Sequence, residues 1–400
     1  MRFLNQKKKR IYLDYAAATP VRNGVKKAMR SYESEVFANA SAIHAEGVQA
    51  RQSIEIAREK LARVLRIRPD GVVFTGSGTE SNNLAILGAV HACHAGGTEY
   101  ADMEVISTRI EHPSVANMLV YLETLGVQVR YVDVDEQGRI VTSSLQSVLS
   151  DHTVIVSFAY ANSEIGTVQE VGKLARVVRT YEKSHDVRIL VHIDAAQAPL
   201  WLPCQLDGLS VDILTLDAGK CYGPKGVGVL AMRHNILLSS VSYGGPQEGG
   251  LRPATENTAG IVGAVTAITL AQEECIHASK KVSALRDGMI ARLLKIEGVV
   301  LNGSASRRIA NNINISIPGI DSEFAVISLD NAGVACSTKS ACGGASGDGS
   351  SVVRTISNDD ARATSTIRFS LGTDTTASGL SKAVMALKEH VEKMRKVFKG

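Results

Sequence analysis

Asp194 closes an apolar run, Val191-His192-Ile193, and Lys220 stands beside a glycine-rich turn, Gly219-Lys220-Cys221-Tyr222-Gly223-Pro224-Lys225-Gly226. A second apolar run, residues 211–216, lies between them. A carboxylate at one strand end and an amine at the next suit pyridoxal phosphate. The aldehyde of that cofactor needs a lysine amine to form a Schiff base. Its ring nitrogen needs a carboxylate to stay protonated, so that the ring can accept electrons.

Other residues extend this chemistry. Thr75-Gly-Ser-Gly78-Thr79 follows a predicted strand and opens a predicted helix. Its backbone N–H groups would cradle a phosphate, although the same residues also make an ordinary N-capped turn. His112, in Glu111-His112-Pro113, would stack on a cofactor ring and carry protons near neutral pH, or simply cap a helix. Gln197 lies three residues past Asp194, within reach of a phenolic oxygen on the same ligand. Arg368 sits in an apolar run, Thr366-Ile-Arg-Phe-Ser370, and needs an anion. That anion is either a substrate carboxylate gripped by the planar fork or a structural partner. Cys342 begins a Gly/Ser-rich stretch, residues 340–351. Most single cysteines are small inert hydrophobes, but a thiol on such a tether can enter and leave a cleft. Cys336, in an apolar context, is expected to be the inert one. No metal site is expected.

The elements that must position these groups are short buried strands at 72–75, 104–108, 127–134, 153–160, 189–194, 213–217 and 228–232. They are rich in Val, Ile and Leu without strict alternation, as in a sheet covered on both faces. Amphipathic stretches at 80–92, 114–125 and 171–184 alternate with them as helices. This pattern predicts an α/β fold with a mostly parallel sheet, whose ligands bind beyond the carboxyl ends of the strands. After about residue 260 the texture changes. Two helices are expected at 261–277 and 280–296, then short strands at 312–317, 334–335 and 366–370 and a last helix at 378–397. The expected division is a large domain, 15–260, and a smaller α+β domain, 1–14 with 261–400.

The bulk numbers narrow the class. Four hundred residues with 44% hydrophobic and 21% charged residues describe an ordinary globular chain long enough for two domains. A net charge of +4 gives no reason to expect nucleic-acid binding. The basic run Lys7-Lys-Lys-Arg10 reads as a solvated tail. No membrane span and no signal peptide are expected. Six cysteines without regular spacing do not make a disulfide framework, so a cytoplasmic location with reduced thiols is expected.

Taken together, these residues resemble the cysteine desulfurases of the class V aminotransferase family. The matching stretches run from Tyr12-Leu-Asp-Tyr-Ala-Ala-Ala-Thr-Pro20 and Asn39-Ala-Ser-Ala-Ile-His44 through Gly78-Thr-Glu-Ser81, Glu111-His112, Glu164-Ile-Gly166 and Asp194-Ala-Ala-Gln197. They continue with Lys220-Cys-Tyr-Gly-Pro-Lys-Gly226, Leu251-Arg-Pro-Ala-Thr255-Glu-Asn257, Ser340-Ala-Cys342 and Ile367-Arg-Phe-Ser-Leu-Gly372. The resemblance implies the type I fold of pyridoxal phosphate enzymes. It implies that Lys220 carries the cofactor, Asp194 meets the pyridine nitrogen, Gln197 the phenolic oxygen and His112 the ring face. Gly78 and Thr79 would hold the phosphate, joined by Thr255 across a homodimer. Arg368, with Asn39 as a weaker candidate, would bind the carboxylate of L-cysteine, and Cys342 would accept its sulfur as a persulfide. The sulfur would pass to an acceptor protein, such as an iron–sulfur scaffold or a sulfur carrier. The rival activity is a selenocysteine lyase or related carbon–sulfur lyase. A true aminotransferase, and a scaffold that has lost catalysis, are further readings.

The chain departs from the family pattern at several points. Asp217 and Gly219 stand where a serine and a histidine usually serve the phosphate. Either Asp217 turns away, or another group compensates, or cofactor affinity falls. Ser163 replaces an asparagine, Gly249 an arginine, and Lys339 a glycine beside the Ser-Ala-Cys element, where a cation would favour a thiolate.

Overall fold

The computed structural model describes residues 10–338 and 349–398. The strands are β1 (Ile11–Tyr12), β2 (Val72–Thr75), β3 (Glu104–Ser107), β4 (Gln128–Tyr131), β5 (Thr153–Ala159), β6 (Leu190–Asp194), β7 (Ile213–Asp217), β8 (Gly228–Met232), β9 (Val300–Leu301), β10 (Asn312–Ser316), β11 (Val334–Ala335) and β12 (Thr366–Ser370). The helices are α1 (Asn23–Ser34), α2 (Ala45–Leu65), α3 (Gly78–Ala95), α4 (Pro113–Thr124), α5 (Thr142–Val148), α6 (Val171–His185), α7 (Leu206–Leu209), α8 (Thr258–Leu293), α9 (Ser322–Asn331), α10 (Ser351–Ser357), α11 (Asp360–Thr364) and α12 (Ala377–Phe398).

Seven strands form the main sheet in the order β2-β8-β7-β6-β5-β3-β4. β7, β6, β5, β3 and β4 run parallel, and β8 is antiparallel to both its neighbours. β2, β3, β7 and β8 bury nearly every side chain, because helices cover both faces. Local chemistry sets the helix starts. The Ser77 side chain accepts from the Glu80 N–H at the head of α3. His112 caps α4, with Pro113 at the first helical position.

The centre of the sheet carries a polar ladder. Ser107 Oγ donates to the Ser157 carbonyl, Ser157 Oγ meets His192 Nδ1 at 2.8 Å, and His192 Nε2 meets Thr215 Oγ1 at 3.0 Å. Full burial drives the His192 pKa down to about 3, so the imidazole is neutral.

Beyond the main sheet, β9, β10 and β12 form a three-stranded antiparallel sheet and β1 pairs in parallel with β11. Single bridges, Asp14 to Ser370 and Ser337 to Arg368, join the two. The two helices expected after residue 260 are one continuous helix, α8. The polar step at 277–279 marks no break, because Ala278 and Val282 keep the buried face and the Ser279 hydroxyl donates to the Trp201 carbonyl. By length and composition alone α8 could cross a membrane, but 56% of its most apolar stretch is buried inside the protein. Of the strand expected at 127–134, Gln128–Tyr131 joins the main sheet at its edge, and Val134 bridges instead to Ile140.

Arg308 ties the three-stranded sheet to the loop after β5. Its guanidinium, almost wholly buried, donates to the carbonyls of Ile165, Ser304 and Asn302 and to Asn312 Oδ1. Burial and the neighbouring Arg286 charge lower its pKa to about 9. Arg308→Met should strand these acceptors and destabilise the fold by about 3 kcal/mol or more, read from urea unfolding.

Candidate active site

A cavity of about 260 Å³ opens at the carboxyl ends of β3, β5, β6 and β7. Gly78, Thr79, His112, Asp194, Gln197, Lys220 and Arg368 all line it. They arrive from several different connections. Gly78 and Thr79 head α3, His112 caps α4, Asp194 ends β6, and Lys220 follows β7 on a short 3-10 turn.

The amine of Lys220 donates to the Ala17 carbonyl at 2.7 Å, and Gln197 Nε2 donates to the Ala16 carbonyl at 3.1 Å. The N-terminal segment after β1 therefore forms one wall. Asp194 Oδ1 accepts from the Ala196 N–H at 2.9 Å, and Oδ2 accepts from Asn82 Nδ2 at 2.8 Å. Asn82 Nδ2 also donates to Ser114 Oγ at 2.8 Å, and Ser114 Oγ lies 2.8 Å from His112 Nδ1. His112 Nδ1 accepts the Ser114 N–H as well. That pattern places the proton of the neutral ring on Nε2. Burial lowers the His112 pKa, with the nearby Asp194 charge opposing the shift.

Arg368 is fully buried. Its Nη2 donates to Asp14 Oδ1 at 3.0 Å and its Nη1 to the Ser163 carbonyl at 2.9 Å. A structural anion is therefore present, and the guanidinium still lines the cavity. Its Nε, like Asn82 Oδ1, is buried without a hydrogen-bond partner among the described residues.

Asn39 and Thr255 are not brought to this cavity. Both are exposed, and Asn39 Oδ1 instead accepts from the Ser41 N–H. Cys342 and Lys339 lie outside the described residues. Cys336 is half-buried, its thiol pushed up to about 12 by burial and by the charges of Asp14 and Asp330. Among the described residues no cluster of three or more His, Cys, Asp or Glu side chains could hold a metal.

Sequence reasoning missed Asn82, Ser114 and Asp14. Asn82 had a signal: it lies four residues after Gly78 in α3, so both share a helix face. Asp14 had none, since its partner is 354 residues away.

The residues fit a pyridine aldehyde at its ring end: a carboxylate, an amine and a flat imidazole converge there. The phosphate end differs. The Gly78 N–H that would hold the anion donates to Asp217 Oδ2 at 3.2 Å.

Glu111 supports the site from below. It is buried, accepts from Thr108 Oγ1 and the Ala159 N–H, and has its pKa pushed up to about 8 by burial, with the Asp194 charge adding to the shift. Its folded pKa lies above its ordinary value of 4.5. The native state thus binds more protons, and the Glu111 contribution to stability is lost as pH rises from 4.5 through 8. Glu111→Gln should flatten that fall in unfolding curves recorded across this range.

The Aminotransferase class-V family model matches residues 11–382. The chain is 38% identical over 391 residues to a protein named cysteine desulfurase IscS from Dictyoglomus turgidum, covering 98% of this chain and 96% of that one. A protein of the same name from Clostridium botulinum is 34% identical over 392 residues, with 97% and 96% covered. A solved structure described as a NifS-like protein superposes with a TM-score of 0.87 at 31% identity, covering 96% of this chain and 99% of that one. The chain belongs to the class V aminotransferase family, among the cysteine desulfurases.

Proposed function

We propose that this protein converts L-cysteine to L-alanine, takes the sulfur as a persulfide on Cys342 and passes it to an acceptor protein of iron–sulfur cluster assembly or tRNA thiolation. The observation that carries this reading is the convergence of Lys220, Asp194, His112 and Arg368 on one cavity at the carboxyl ends of the sheet. Residues 15–260 would form the cofactor-binding unit, and 1–14 with 261–400 the unit that brings Cys342. Bound pyridoxal phosphate would supply an electron sink for negative charge at the substrate Cα.

The chain's own residues do the rest. Asp194 would hold a proton on the pyridine nitrogen, Gln197 would meet the phenolic oxygen, and His112 would cover the ring face. Gly78 and Thr79 line the end where a phosphate would lie, although the Gly78 N–H donates to Asp217, and Thr255 would serve the site of a second subunit in a homodimer. Arg368, already oriented by Asp14 and Ser163, would hold the substrate carboxylate through the part of its guanidinium that lines the cavity. Lys220 Nζ takes the Cα proton and returns it. The Cys342 thiolate attacks the substrate sulfur. A sulfur–sulfur bond forms, the carbon–sulfur bond breaks, and the carbon keeps the electron pair and gains a proton, so cysteine plus thiol equals alanine plus persulfide.

Both described flanks of the Cys342 segment end beside the cavity. Ser337 exchanges both backbone hydrogen bonds with Arg368, and the Ser350 hydroxyl donates to Glu164 at 2.6 Å, next to the lining residue Ser163.

Borohydride reduction with pyridoxal phosphate, followed by peptide mapping, should label Lys220 in both the wild type and Cys342→Ala. Cys342→Ala should form no persulfide from L-cysteine. Label on another residue, or undiminished persulfide, would overturn the proposal. Arg368→Lys keeps the charge but loses the fork. It should raise the KM for L-cysteine about tenfold, the worth of roughly one charge-assisted hydrogen bond, and steady-state alanine release measures it.

A further inference from the structure

Asp217 does not turn away from the anion cradle. It is the last residue of β7, opposite Gly228 on β8, and its side chain crosses to the head of α3. Oδ2 accepts the Gly78 N–H at 3.2 Å and Oδ1 accepts the Gly219 N–H at 2.8 Å. A Cβ added at Gly78 would stand 3.3 Å from both Asp217 Cβ and Oδ2, so the carboxylate lies directly against the helix start. The positive end of an 18-residue helix, where an anion is most favoured, thus already faces one supplied by the chain.

Two neighbouring donors are committed too. The Gly76 N–H is held by the Glu80 carboxylate, and the Glu80 N–H by Ser77 Oγ. The cations at hand are occupied: Lys225 donates to the Thr19 carbonyl, Arg252 pairs with Glu80 at 3.1 Å, and Lys220 donates to the Ala17 carbonyl. A phosphate entering here would compete for the Gly78 N–H with a like charge, which discriminates by repulsion. A hydroxyl in the same place would instead donate to Asp217.

We propose that Asp217 is an internal occupant of the phosphate cradle and sets cofactor specificity. The site engages its cofactor through ring and aldehyde, gains little from a phosphate, and accepts a hydroxypyridine aldehyde without one. This rests on the reading of Lys220 as the aldehyde-binding amine.

The test titrates the cofactor-stripped full chain with pyridoxal and with pyridoxal phosphate, following the visible absorbance of the adduct. Wild type, Asp217→Ser and Asp217→Asn are compared. Both variants should tighten pyridoxal phosphate at least tenfold while pyridoxal does not tighten. An unchanged ratio of the two dissociation constants in both variants would overturn the proposal. A second arm needs no aldehyde. Inorganic phosphate should raise the melting temperature of Asp217→Ser and Asp217→Asn but not of the wild type, and an equal response in all three would also overturn it. If no protein forms an adduct with either aldehyde, the reading of Lys220 falls, while the phosphate arm still decides whether Asp217 fills the cradle.

Discussion

The cavity depends on one buried guanidinium. Arg368 joins the N-terminal segment through Asp14, the loop after β5 through the Ser163 carbonyl, and the segment after β11 through its backbone pairing with Ser337. A buried charge is tolerated only when paired and hydrogen-bonded. Holding Arg368 therefore forces three distant stretches of chain to meet. The Arg308 ties act beside it, fixing the loop that contains Ile165 to the three-stranded sheet. The wall that faces Asp194 and Lys220 stands where it does because these two arginines must find oxygen acceptors.

Within that frame the polar groups are organised in series. Asp194, Asn82, Ser114 and His112 form a continuous hydrogen-bonded run from the floor of the cavity to its side. Asn82 couples the carboxylate to the imidazole without adding charge. Glu111, kept largely protonated near neutral pH by burial, avoids a second negative charge beneath Asp194. The phosphate end follows a different logic, with a carboxylate placed on the helix start itself. One cavity thus combines a ring end that the family pattern anticipates and an anion end that it does not.

Much of this was legible in the sequence. Each strand of the main sheet was marked by a short run of β-branched and aliphatic residues, and the chemical residues sat at the ends of those runs. The gathering of Lys220, Asp194, His112 and Gln197 follows from that placement. What was not legible depended on distance in the chain. Asp14 shows no role of its own until Arg368 is folded against it. The aim of Asp217 was open because β7 fixes where it stands, whereas the packing of α3 fixes what it touches. The continuity of α8 was hidden by a polar step whose serine is satisfied by the Trp201 carbonyl.

The buried imidazole of His192 has a consequence for Asp194. The two residues are separated by one position on β6, so they project to the same side of the sheet. His192 is bonded on both sides, to Ser157 on β5 and Thr215 on β7, and a slip of β6 by one residue would break both bonds and strand a polar ring against apolar neighbours. The same slip would swing Asp194 to the opposite side. A histidine too acidic to exchange protons at neutral pH thus serves as an alignment pin, and its cost if misaligned keeps the carboxylate two residues along the strand pointed the right way.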